Sequence, residues 1–100
     1  MDDQQSDKPA KSVNIAVELD EQIANGQYVN LARIFHSPTE FVLDAVFLPP
    51  GTKRAKVRSR LILSPTHAKQ LLTALGQNIR IYENKFGEIK VPTQGMSVLH

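Results

Sequence analysis

The chain has 100 residues, 41% of them hydrophobic and 22% charged, with a formal net charge of +2 and no cysteine. That length suits one small domain. The missing thiols exclude disulfides and thiolate-held zinc, and so mild a charge does not by itself demand a polyanionic partner. No apolar run approaches the roughly twenty residues of a membrane span, and no secretory h-region opens the chain. A cytoplasmic protein without membrane association is expected.

Met1 to Ser12 is polar, contains a proline and shows no apolar periodicity, so a disordered tail is predicted over 1–12. From Val13 the pattern alternates, with Val13, Ile15, Val17 and Leu19 against Asn14, Ala16, Glu18 and Asp20. Period two predicts a half-buried strand. Asp20 to Gly26 reads as a loop, with Asn25-Gly26 a strong turn signal. Tyr28 to His36 is rich in β-branched and aromatic residues and predicts a second strand. Ser37-Pro38-Thr39-Glu40 has hairpin length. Phe41 to Leu48 is the third strand, stopped by Pro49-Pro50-Gly51 because proline has no N–H for a ladder. Lys53 and Arg54 fall in the turn, and Lys56 to Leu63 is the fourth strand.

Ser64 to Gly87 is the stretch on which the fold is built. Ala68, Leu71, Leu72, Leu75, Ile79, Tyr82 and Phe86 recur at spacings of three and four, which makes one apolar stripe on a helix. Ser64 is a good N-cap, Pro65 is harmless at the first helical position, and Gly87 suits a C-terminal stop. Gly76 is the flaw, worth about 1 kcal/mol against Ala unless a neighbour's backbone comes close there. A helix of about 33 Å overhangs strands of about 27 Å, which favours contact with a second subunit.

The expected fold is therefore α+β: a four-stranded antiparallel meander sheet followed by one long C-terminal helix packed on one face. It forms a single domain over 13–89, with a flexible tail over 90–100. Pairing His36 with Phe41, and Leu48 with Lys56, sets Asp44 opposite both Arg33 and Arg60 on one face. Val29, Leu31, Phe35, Val42, Val46, Leu48 and Ile62 share that face. The opposite face, with Tyr28, Ala32, Ile34, Phe41, Leu43, Ala45, Phe47, Val57, Leu61 and Leu63, carries no charge and is the natural bed for the helix. Asn30 and Ser59 are its polar members. The Asp44 face is then too apolar for water. Val29, Leu31, Arg33, Phe35, Val42, Asp44, Val46, Arg60 and Ile62 are its candidate oligomer or partner surface. Asp44 neutralising two exposed arginines is the plainer account of the charges alone.

Catalytic motifs are absent. His36 lies near Glu40, but no nucleophile or third group completes an acid–base arrangement. His67 opens the helix and His100 ends the chain, so the histidines do not make a metal site. The five glycines are scattered and form no phosphate loop. No cofactor is expected. The basic run Lys53, Arg54, Lys56, Arg58 and Arg60 offers phosphate contacts, though no aromatic is interleaved for base stacking. A charged strand edge that blocks unwanted pairing would look the same.

Two strings, NGQYVNLARIFHSPTEFVLDAVFLPP and KVRSRLILSPTHAKQLLTALGQNIRIYENKFGEI, closely resemble the bacterial family DUF3467, a domain of unknown function. The resemblance runs from Val13 to Ile89 and is most specific at Tyr28-Val29-Asn30, Ser37 to Asp44, Arg60 to Lys69, Asn78, Tyr82-Glu83 and Phe86-Gly87. Ala45 departs from it, standing where an aromatic often follows the Leu-Asp pair. The resemblance brings no catalytic residue with it. In topology alone the predicted order is similar to the SecB export-chaperone family, with four antiparallel strands before a helical part. That likeness implies an oligomer with exposed apolar grooves. The expected function is a non-enzymatic homo-oligomeric protein-binding module, a SecB-like chaperone or adaptor with a protein client. The alternative is a nucleic-acid-binding protein using Lys53, Arg54, Lys56 and Arg58.

Overall fold

The computed structural model describes residues 14–92 and the backbone of Val98–Leu99. The predicted tail over 1–12, Val13, and the remainder of the predicted 90–100 tail lie outside the described residues. The elements in chain order are α1 (Glu21–Ala24), β1 (Leu31–His36), β2 (Phe41–Phe47), β3 (Lys56–Leu63), α2 (Pro65–Phe86) and β4 (Val98–Leu99).

The antiparallel sheet has three strands, not the four predicted. β2 lies between β1 and β3, and the two residues of β4 run parallel to β1 on its free edge. The predicted first strand does not form: residues 14–20 carry no ladder, and Val17 is 89% exposed. Alternation reports a chain that would suit a half-buried strand, but a strand also needs an edge to pair with. The free edge of β1 is taken by β4. The following loop instead winds one helical turn, capped by the Asp20 carboxylate. It leaves through Gly26 at φ 73°, a left-handed conformation natural to glycine.

β1 begins at Leu31 rather than Tyr28; the Asn30 amide still donates to the Val46 carbonyl at 3.0 Å, and the Asn30 side chain continues the pairing. Its Nδ2 donates to the Leu48 carbonyl at 3.0 Å, and its Oδ1 accepts from the Leu48 amide at 2.9 Å. A carboxamide has the donor and acceptor of a peptide unit, so Asn30 closes the ladder end where proline interrupts β2.

The pairings of Arg33 with Asp44, and of Asp44 with Arg60, are as expected. Beyond Ala45 the β2–β3 register shifts by one: Val46 meets Val57 and Phe47 meets Lys56, where Leu48 was expected opposite Lys56. Arg58 is the extra residue of a β-bulge. The shift moves Val57 off the helix bed, where it was expected, and onto the Asp44 face, since opposed residues share a side.

The helix α2 forms as predicted, with Ser64 Oγ accepting from the His67 amide at 3.1 Å and Gly87 ending it at φ 102°. It does not pack on the sheet face. Among the described residues α2 meets β3 beside it and little else of the sheet, and none of its residues is buried. Its stripe stands open, from Ile79 at 39% to Leu72 at 69% exposed. The connection explains this: Ser64 alone joins β3 to α2, in an extended conformation. Connections that return a helix over its sheet take about 2–6 residues. Gly76 lies on this stripe, and among the described residues a Cβ there would meet nothing within 4 Å.

Candidate functional site

Asp44 is the sole charge in the apolar run of β2, and it is fully buried among the described residues. Its neighbours on both flanking strands are arginines. From β3, Arg60 donates through Nε to Oδ1 at 2.7 Å and through Nη2 to Oδ2 at 2.9 Å. From β1, Arg33 donates through Nε and Nη2, both to Oδ2, at 3.0 and 2.8 Å. The carboxylate is thus covered by two guanidiniums rather than by a packed layer. Each guanidinium also sits over the Phe35 ring, with Arg33 Cζ at 5.9 Å and Arg60 Cζ at 5.6 Å from its centroid.

The Arg60 hydrogen bonds lead in holding the Asp44 carboxyl down to about 2, against a burial effect in the opposite direction. The Arg33 hydrogen bond and the positive charges of both arginines add to the lowering. Arg60's own hydrogen bond to Asp44, with the charge of that carboxylate, raises Arg60 above its ordinary value. At neutral pH the cluster is two cations on one anion. Four charge-assisted hydrogen bonds hold the three side chains together.

The expected partner surface assembles largely as the register predicted. Leu31, Arg33 and Phe35 from β1, Val42, Asp44 and Val46 from β2, and Arg60 and Ile62 from β3 share one side. Val46 is 3% exposed, whereas Phe35 and Ile62 stand open at 43% and 63%. Val29 is half-buried just ahead of β1. Val57 joins this surface through the bulge, which nothing in the sequence flags.

The basic segment does not form one patch. Lys53 and Arg54 lie in the exposed turn, and Lys56 opposes Phe47. Arg58 turns to the Phe47 side, its Cζ 5.8 Å from that ring, while Arg60 is bound to Asp44 on the other face. Tyr28 meets Phe47 edge-on with ring centroids 6.0 Å apart. Aromatics missing from the linear segment are therefore supplied by its neighbours. His36 stacks on Phe41 at 5.2 Å, and His67 Nδ1 lies 3.0 Å from Ser64 Oγ at the helix cap, so both have structural surroundings. Among the described residues no group of three acidic, histidine or cysteine side chains is placed to hold a metal. No helix among them is long and apolar enough to cross a membrane.

The family model described as "Protein of unknown function (DUF3467)" matches residues 1–91, and the chain belongs to that family. No curated protein and no solved structure matches it.

Proposed function

We propose that this chain is a small non-enzymatic module that self-associates and binds protein segments, as a SecB-like chaperone or adaptor does. The face around Asp44 is its partner surface. The observation that carries the reading is how little the chain buries alone: among the described residues only Asp44 and Val46 are buried. A monomer rarely leaves so much contiguous apolar surface in water. Phe35, Ile62 and Val57 offer a non-directional grip on apolar side chains. The half-exposed Arg33 and Arg60 offer hydrogen-bond donors to a bound segment's carbonyls or carboxylates.

Sedimentation equilibrium at micromolar concentration tests the first part, with an expected mass that is a multiple of 11.2 kDa. A clean monomer would sink it. Titration with a labelled, permanently unfolded polypeptide tests the second. Leu31→Asp or Phe35→Asp should abolish that binding, and a variant that leaves it unchanged shows that the wrong face has been chosen.

A second reading is favoured by the Arg58–Phe47–Tyr28 contacts, which set cations beside aromatic rings at the Lys53–Lys56 turn. Single-stranded nucleic acid binds to such combinations. That reading requires measurable binding at low salt.

A further inference from the structure

We infer that α2 packs in trans: the helix of one copy lies along the apolar centre of the sheet face opposite Asp44 in a second copy, and the second returns its own helix to the first. The inference rests on the self-association proposed above and adds which surfaces meet.

Three observations carry it. The first is the connector. Ser64 alone separates Leu63 at the end of β3 from Pro65 at the start of α2. A helix packed on a sheet stands about 10 Å above it. One extended residue gives the chain neither that climb nor the reversal of direction, so the helix leaves its own sheet behind. A short connection that forbids closure within the chain is a known route to exchange between copies.

The second is complementarity inside one sequence. The stripe of Leu71, Leu72, Leu75 and Ile79 is apolar and unburied. The central part of the sheet face opposite Asp44 is apolar too: Ile34 and Leu43, half-buried, and Leu61, 48% exposed, come side by side there through the register, with Lys56 and Arg58 confined to the Phe47 end. A foreign partner would satisfy one of these surfaces and leave the other wet. A two-fold pair satisfies both at once, because each copy supplies what the other lacks. Gly76 agrees with this. It sits on the stripe between Leu72 and Ile79, and none of the described residues comes within 4 Å of its missing Cβ. Its helix-weakening effect is offset only if another chain's backbone or bulky side chain approaches there.

The third is area. A helix about 10 Å wide, laid along a strand of about 24 Å, covers about 240 Å². Counting both surfaces in both copies gives about 1,000 Å², the level a specific interface must reach. The helix is about 9 Å longer than that strand, and its overhanging end, with Tyr82 against Phe86 at 4.9 Å, can meet the partner's.

The absence of native cysteine gives a clean test. Leu75→Cys and Ile79→Cys are made on one tagged chain, and Leu43→Cys and Leu61→Cys singly on a differently tagged chain. Each pair is mixed in denaturant, refolded together and oxidised. At least one helix–sheet pair should give a disulfide between the two tags, and a chain carrying both cysteines should give covalent dimers. A link confined within single chains, or an oligomer with no helix–sheet link from any pair, overturns the exchange and leaves self-association standing. A monomer overturns both. In a second experiment a Gly/Ser insert of about eight residues, spanning about 15 Å, is placed between Leu63 and Ser64. It should let the helix fold back and convert the assembly to monomer. An unchanged mass contradicts the exchange.

Discussion

Arg60 grips both oxygens of Asp44 from the neighbouring strand, Nε to Oδ1 at 2.7 Å and Nη2 to Oδ2 at 2.9 Å. Arg33 reaches the same carboxylate from the other side but places both its bonds on Oδ2. The two arginines are therefore unequal partners. Arg60→Lys should destabilise the protein more than Arg33→Lys, because a lysine ammonium cannot reproduce a two-oxygen fork. Urea midpoints of the two variants at neutral pH check the order.

The same carboxylate sets an acid limit. Its folded value is about 2 against an ordinary 3.8, so the unfolded chain takes up the proton first as the solution is acidified. A depressed carboxyl contributes stability that is fully present above the unfolded value and lost as pH falls toward the folded one. The loss belongs between 3.8 and about 2. Asp44→Asn should be less stable at neutral pH, where it leaves two guanidiniums without their anion. The difference from the parent should shrink across that window. Denaturant midpoints of the two proteins, compared from pH 7 downward, should converge; parallel curves would show that Asp44 does not carry this linkage.

Asn30 should behave as a strand residue in disguise. Replacing it with Ala removes two hydrogen bonds to Leu48, each worth about 0.5–1.5 kcal/mol net, for an expected loss of about 1–3 kcal/mol. Asn30→Asp keeps the acceptor for the Leu48 amide but turns a carboxylate oxygen toward the Leu48 carbonyl. It should be no better than Ala at neutral pH. Amide exchange at Leu48 separates the two variants locally, with protection lost in Asn30→Ala and retained in Asn30→Asp.

What the sequence made legible divides along the range of the interaction. The helix limits at Ser64 and Gly87 depend on local capping, and they were readable. The Arg33–Asp44 pairing follows from the short Ser37–Glu40 connection, which fixes the β1–β2 register. The bulge at Arg58 was not readable: one extra residue opposite Ala45 and Val46 leaves no mark in the apolar pattern, yet it moves Val57 to the other face. The alternation over 14–20 misled because period two describes a side-chain pattern and says nothing of whether an edge is free. The helix stripe misled similarly. Its periodicity announced a face to be buried, and the one-residue connection at Ser64 decided that this sheet would not bury it.

Ser64 is therefore a cap as well as a connector, and the two roles separate by substitution. Ser64→Ala loses the oxygen that accepts from the His67 amide and should cost about 1 kcal/mol, whereas Ser64→Gly should cost only a few tenths. Neither lengthens the connection, so neither should alter the sedimenting mass. Thermal melts by circular dichroism check the energies, and a mass change in Ser64→Ala would show that the cap also governs assembly.

If the chain binds single-stranded nucleic acid, the bulge dictates which cations take part. Lys53, Arg54, Lys56 and Arg58 are available at or beside the Phe47 end, while Arg60 is committed to Asp44 on the opposite face. Four phosphate contacts on a single strand predict a slope of about −3 in a plot of log affinity against log salt. Arg58→Glu should flatten that slope by about 0.7, and the triple reversal of Lys53, Arg54 and Arg58 to Glu should abolish binding. Arg33→Lys, on the opposite face, should leave the slope unchanged. Fluorescence anisotropy with a labelled oligonucleotide across a salt series measures all three. Failure to bind even at the lowest salt leaves the basic turn as a solvated edge that discourages strand addition, and protein binding through the Asp44 face stands alone.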